Sequence, residues 1–311
     1  MNEKFDIFYS DRATGKLMTE KIYASPFLYW SYNTNIGKWA TDLIFRTKIA
    51  SRLYGWFNHR KWSAKKIGRF VRDFDIDIRE FPSPIEDFAS FNDFFVREID
   101  PSKRPINSKK GVCIAPVDGK VLVYPVIDCH ARFRIKRCTF NLSQLVCDTS
   151  VASRFDGGSM LISRLSLKDY HHFHFPDSGI PGSAKSISGK YYAGGPYALR
   201  SLVPFYTENY RMVTRFDSDH FGPMAIMEIG AFTVGSIRQC FQPGAHIAKG
   251  AHKGFFEMGG STVVLLFRKG AIEFDEDLVK NSSEETETFV KFGDSVGNAV
   301  GNQNQRRGLA C

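Results

Sequence analysis

Near residue 111 the sequence changes texture, and that change limits the folds open to it. Downstream, short runs rich in β-branched and aromatic residues, KVLVYPVI (120–127), SMLISRLS (159–166), MAIMEIGAFTVGSI (224–237) and STVVLLF (261–267), are separated by Gly, Pro, Asp and Ser. Runs of this length bounded by turn formers read as strands. Few helices are expected among them, Leu142 to Cys147 and Tyr197 to Leu202 being the short candidates. Upstream, residues 5 to 22 read as a hairpin turning through Asp11 to Gly15, and apolar residues then recur at helical spacing over 26–33, 35–57 and 62–74. After Pro82 and Pro84, the stretch SPIEDFASFNDFFVREI reads as helix or helical turn packing several Phe. The expected fold class is α+β. A hairpin and an amphipathic helical region occupy 1–82, and a strand-rich, mainly antiparallel domain occupies 83–311, within a chain of 311 residues that is long enough to bury a substantial core.

The formal net charge of +9 is concentrated rather than spread. From Lys38 to Arg72 there are ten Lys or Arg against one acid, Asp42, so this stretch alone accounts for the excess. All four tryptophans (Trp30, Trp39, Trp56, Trp62) lie in or just before it. Amphipathic rings interleaved with cations suit a lipid headgroup layer, where each Lys or Arg contributes roughly 1 kcal/mol near anionic lipid. In IGRFVRDF, the residues Ile67, Phe70, Val71 and Phe74 form one apolar stripe flanked by Lys65, Lys66, Arg69 and Arg72, as an interfacial helix requires. A solvated basic face or a nucleic-acid patch is the other reading of the charge, but no nucleic-acid module is recognisable. No window reaches the ~20 apolar residues of a membrane span, and the N-terminus lacks a signal-peptide apolar region. A peripheral location on the cytoplasmic face of a membrane is therefore expected. The six cysteines show no metal-ligand spacing and read as reduced thiols.

Three segments carry groups capable of chemistry. APVDGK places Asp118 and Gly119 at the head of an expected strand; DYHHFHFP holds His171, His172 and His174; MGGSTVVLLF sets Ser261 between two glycines and an apolar strand. Each has an ordinary alternative. Asp-Gly is a common turn, Gly-Gly-Ser a flexible one, and the three histidines lack a carboxylate or thiol neighbour to complete a metal set. No metal is expected. His59, His130, His220, His246 and His252 stand apart and read as residues without a role, while Glu228 and Glu257 read either as buried carboxylates near a site or as exposed strand residues.

In order, SFNDFFVREI, APVDGKV, DYHHFHFP, VGSI, and KG followed by MGGSTVVLLF resemble the motif series of the phosphatidylserine decarboxylases. The resemblance runs from about Ser90 through the strand-rich domain, and the basic helical segment is similar to the family's membrane-facing N-terminal region. Two departures are His172, often Arg in the family, and ENYR at 208–211, which lacks the usual acid between Asn and Arg.

The resemblance implies a self-processing enzyme cut between Gly260 and Ser261 into a large chain, 1–260, and a small chain, 261–311, held as a heterodimer. Asp118, His174 and Ser261 match the self-processing triad, in which His174 is the base and Asp118 its orienting acid. A serine hydroxyl is a weak nucleophile without such a base. Ser261 would become a covalent pyruvoyl cofactor that forms a Schiff base with phosphatidylserine, and loss of CO2 would then give phosphatidylethanolamine. His171 is the candidate for assisting decarboxylation. The implied partners are phosphatidylserine and an anionic membrane surface, with homo-oligomerisation left open. The competing functions are pyruvoyl-dependent decarboxylation of another serine-headed lipid or a free amino acid, and an unprocessed membrane-binding protein.

Overall fold

A computed structural model describes residues 7–21, 30, 34, 36–37, 55–128, 133–135, 138–192, 205–231, 237–257 and 261–301. The hairpin forms as expected from Phe8–Asp11 (β1) and Lys16–Thr19 (β2), antiparallel, with Phe8 opposite Thr19. Asp11 builds the turn. Its carbonyl accepts from Gly15 N at 2.8 Å and its carboxylate from Ala13 N at 2.9 Å, while Gly15 adopts the positive φ of 67° that the tight reversal demands.

The four apolar runs form strands, within Gly119–Tyr124 (β3), Ser159–Leu165 (β4), Gly222–Gly230 (β7) and Ser261–Phe267 (β9), and the structure adds His172–His174 (β5), Arg211–Ser218 (β6), His252–Phe256 (β8) and Glu287–Val290 (β10). Among the described residues, a ten-stranded sheet runs Lys185–Ile187, β6, β7, β9, β4, β3, β10, β1, β2, with Gly179–Pro181 attached to β6. Its pairs are antiparallel except β1 with β10. The hairpin thus extends the same sheet that carries the DG and GS motifs.

β9 lies between β7 and β4 and is buried along its whole length. Val263, Leu265 and Phe267 pack on one face with Phe173, Phe175, Phe256 and Leu278; Val264 and Leu266 pack on the other with Leu142, Leu145 and Ala152. A strand covered on both faces has no polar side to show, which is why STVVLLF reads as an unbroken apolar run.

Helices cover the second face and the N-terminal flank, and one more packs Leu278 against the first face. Ile67–Asp73 is α1, preceded by a 3-10 turn at Lys61–Lys66; Phe91–Phe95 is α2, Leu142–Val146 is α3 and Thr149–Ala152 is α4. Phe205–Glu208 (α5) and Glu276–Ser283 (α6) follow. α3 begins with a capping box of Asn141 and Gln144 and ends at Cys147 in the left-handed region, as the sequence boundaries anticipate. Residues 26–33 and 35–57, expected to be helical, and Tyr197 to Leu202 lie wholly or mostly outside the described residues.

One expectation is corrected. The stripe Ile67, Phe70, Phe74 faces inward, buried against Phe91, Phe94 and Phe95 of α2, with Val71 partly buried beside it. Ser63 Oγ reinforces the contact by accepting from Phe91 N at 2.9 Å. The stripe cannot meet lipid because another apolar helix of the same chain already covers it.

A buried polar network ties the hairpin to the sheet. The Arg164 guanidinium in β4 reaches Glu20 at 2.7 Å and Glu287 at 2.7 Å, in both cases through two hydrogen bonds. Lys120 sits 3.6 Å from Glu20 and 3.5 Å from Asp169. Burial alone would raise the Glu20 pKa, but Arg164, Lys120 and the Ser166 hydroxyl outweigh it and hold the carboxyl well below its ordinary 4.5. A carboxylate depressed in this way stabilises the fold above its unfolded pKa, and that contribution is lost as pH falls below 4.5. Arg164→Met should destabilise by about 3–5 kcal/mol, because two buried carboxylates lose the cation that bridges them and Lys120 remains beside only Glu20 of the two. Chemical denaturation of the Ser261→Ala chain would check this, and an unchanged midpoint would contradict it.

Candidate active site

The segment 114–118 lies beside β5. Ile114 N donates to Pro176 O and His174 N donates to Pro116 O, which brings Asp118 alongside the histidine strand. Strand alternation then sorts the ring side chains. His171 lies on the side of Phe173, and His172 and His174 lie on the opposite side.

His174 is buried and held by a backbone carbonyl. Its Nδ1 lies 3.1 Å from Gly250 O, so Nδ1 carries the proton and Nε2 presents the lone pair, 3.4 Å from the Tyr170 hydroxyl. Gly250 itself has φ of +77°, and a Cβ there would meet Ile106. The Phe292 ring stacks on His174 with centroids 3.8 Å apart. Burial, then the proximity of His252, lowers the His174 pKa to about 3. His172 is lowered to about 4, again mainly by burial; its Nε2 donates to Val96 O at 2.8 Å and its Nδ1 faces His252 Nε2 at 3.0 Å. His252, which the sequence leaves without a role, therefore belongs to this cluster, and the signal that finds it is its pairing with His174 across β8 and β5.

Asp118 is buried beneath these rings. It accepts from Phe292 N at 2.8 Å and from Arg104 at 2.6 Å and 2.9 Å. Burial raises its pKa against the opposing pull of Arg104 and the Phe292 amide. Asp118 and His174 thus meet at one residue, Phe292, through its amide and its ring, and they share no direct hydrogen bond among the described residues.

Ser261 opens β9. Thr262, Arg164 and Lys120 form one row across β9, β4 and β3, so Ser261 and Gly119 lie one residue further along at the same end of the sheet, about 10 Å apart by strand spacing. Gly230, without a side chain, is opposite Ser261 on β7. The Ser261 hydroxyl is buried and has no hydrogen-bond partner among the described residues. Gly260, the other half of the expected cleavage site, lies outside the described residues, as do Val234 to Ser236 of the VGSI segment.

His171 is buried, with Nδ1 2.8 Å from Asp169 O and its ring 3.9 Å from that of Phe95. Its carbonyl accepts from Phe256 N, which sets it against the end of β8. Of the two further acids, Glu228 is buried and paired with Lys253 at 2.8 Å, and Glu257 pairs with Arg238 at 3.1 Å nearer the surface. His220 and His246 pair with Asp177 and Asp219. Among the described residues, no three His, Cys, Asp or Glu side chains are grouped to hold a metal ion.

Along the chain Asp118, the histidines and then Ser261 follow one another in the order in which the family motifs fall. The phosphatidylserine decarboxylase family model matches residues 91–298. The chain belongs to this family. It is 40% identical to a phosphatidylserine decarboxylase proenzyme of Chlamydia felis (strain Fe/C-56) over 94% of this chain and 98% of the relative. Proenzymes of the same description from Clostridium botulinum (strain Alaska E43 / Type E3) and Chlamydia trachomatis serovar D are also 40% identical, over 93% and 94% of this chain.

The histidine geometry makes a titration prediction. An imidazole whose folded pKa is depressed from 6.5 takes up its proton only on unfolding, so stability falls as pH drops from 6.5 towards 3 to 4. In the uncut Ser261→Ala chain, NMR should show His172 and His174 neutral at pH values where free imidazole is half protonated. Titration of either near 6.5 would contradict the burial described.

Proposed function

We propose that the chain cuts itself between Gly260 and Ser261 and then decarboxylates phosphatidylserine to phosphatidylethanolamine at a membrane surface. The observation that carries this reading is the Ser261 hydroxyl, buried at a strand head without a partner among the described residues, in a family named for this reaction. Left unsolvated, such a group costs about 1–3 kcal/mol, and a function for the hydroxyl accounts for its retention.

In processing, Ser261 Oγ gives up its proton and attacks the Gly260 carbonyl carbon, and the peptide C–N bond breaks to leave an ester and a free amine. Loss of the Ser261 α-proton expels the Gly260 carboxylate, and the dehydroalanine remaining tautomerises, takes up water and releases ammonia, leaving a ketone at position 261. His174 suits the base, since Gly250 O commits Nδ1 as the donor and leaves the Nε2 lone pair, which faces the Tyr170 hydroxyl, to accept a proton, and the ring is neutral at physiological pH. Asp118 fixes Phe292 and, through that ring, the imidazole.

Position 261 can hold a small ketone because it is buried and faces the bare backbone of Gly230. A pyruvoyl group there supplies the electron sink for CO2 loss. His171 is assigned to protonation or carboxylate contact on the other side of β5, its ring fixed by Asp169 O and Phe95. After the cut, β9 and β10 of the small chain remain within the sheet, each between strands of the large chain, which favours a lasting heterodimer.

Membrane attachment is assigned to an exposed aromatic and basic patch. Trp56, Phe57 and Trp62 are 50%, 41% and 48% exposed, and their rings contact edge to face. Arg60 covers Trp56 at 4.2 Å and Lys66 approaches Trp62 at 5.7 Å. No helix among the described residues is long and apolar enough to cross a membrane. Rings that sit at headgroup depth, with cations reaching anionic lipid, suit peripheral binding.

On a denaturing gel the active protein should run as two chains, 1–260 and 261–311, the smaller reacting with hydroxylamine, whereas Ser261→Ala should remain a single chain. His174→Ala should accumulate precursor, and His171→Ala should be cut but decarboxylate poorly. An active, uncut wild-type chain would contradict the reading. Binding to vesicles should require anionic lipid, weaken with added salt and fall in Trp56→Ser/Trp62→Ser. Equal binding to neutral vesicles at every salt concentration would remove the membrane assignment.

A further inference from the structure

The environment of Asp118 is dominated by a residue that the family motifs above do not include. Arg104 follows the short 3-10 turn Pro101–Lys103, and its guanidinium is buried. Nε and one terminal nitrogen grip both Asp118 oxygens at 2.6–3.2 Å, and the two terminal nitrogens hold Glu80 at 2.9 and 3.0 Å. A planar fork engaged by two carboxylates at these distances is fixed in position as well as charged.

We infer that Arg104 is the positioning residue that keeps Asp118 ionised and aimed at Phe292, so that self-processing depends on it. The inference rests on the reading of Asp118 as the acid that serves His174.

Three groups act against ionisation or are indifferent to it. Burial opposes a charge on Asp118, and so does Asp169 on the loop before β5, while Tyr170 and His174 offer it no cation. Favouring ionisation are Arg104 and the Phe292 amide, with Arg97, after α2, acting at longer range. Lys291 is committed to Glu80 at 3.1 Å. Without Arg104 the carboxyl keeps one amide donor in an apolar surround, and the proton becomes the cheaper counter-charge. A protonated Asp118 neither stabilises an imidazolium at His174 nor holds Phe292 as a carboxylate does.

The test follows conversion of pulse-labelled full-length chain, made by cell-free synthesis, after dilution into buffers from about pH 5.5 to about pH 9. Wild type, Arg104→Gln, Arg104→Lys and Glu80→Gln are compared, with Asp118→Asn and Ser261→Ala alongside. Arg104→Gln should move the acid limb of the processing rate up by about 1–3 pH units and approach the wild-type rate only at high pH. Arg104→Lys should move it the same way by less. Glu80→Gln disturbs the same segment but leaves the fork to Asp118, so its limb should not rise. The inference is overturned if the Arg104→Gln limb is unmoved, if its rate falls equally at every pH, or if Glu80→Gln reproduces the shift. Should Arg104→Gln fail to fold, an unshifted Arg104→Lys limb overturns it. Wild-type processing by Asp118→Asn would remove the role of Asp118 and the inference with it, whereas cutting of Ser261→Ala would overturn the proposed function itself.

Discussion

The Arg164 guanidinium joins parts of the chain that are otherwise far apart in sequence. Glu20 leaves the N-terminal hairpin, Glu287 lies in β10, and Arg164 lies in β4 beside the strand that Ser261 opens. Buried charge of this kind contributes little net stability, yet removal of one member is severe, so it acts chiefly to specify which strands meet. Asp169, in the same network, precedes Tyr170 and His171 by one and two residues. The ion network on one face of the sheet and the ring cluster on the other side are therefore positioned by the same short loop.

Much of the architecture was legible because it rests on local rules. The hairpin follows from Asp11 and Gly15, α3 from Asn141 and Gln144, and the central strands from their apolar runs. Periodicity says that Ile67, Phe70 and Phe74 share a face; it does not say what covers that face, and α2 rather than lipid does so. α6 was not among the expected helices, and its N-cap, Asp275, makes no side-chain capping bond.

For the candidate site, Asp118, the histidines and Ser261 could be named from the sequence because each motif is contiguous. Arg104, His252 and Phe292 were not legible, because they reach the cluster from separate segments and their residue types are ordinary there. The expected contact between acid and base is replaced in this structure by a shared neighbour. The atom that fixes the His174 tautomer is the carbonyl of Gly250, and no side-chain motif reports a carbonyl.

The residues after Ser261 supply β9 near the middle of the sheet and β10 between β3 and β1. If the polypeptide is cut ahead of β9 as proposed, it exchanges a unimolecular route back from the unfolded state for an encounter between two fragments. Assembly must accordingly be finished before scission, and any later denaturation becomes a concentration-dependent loss. Maturation by such a cut would act as a ratchet: only the intact precursor could fold at infinite dilution, and the cut enzyme would persist through slow unfolding rather than ready refolding.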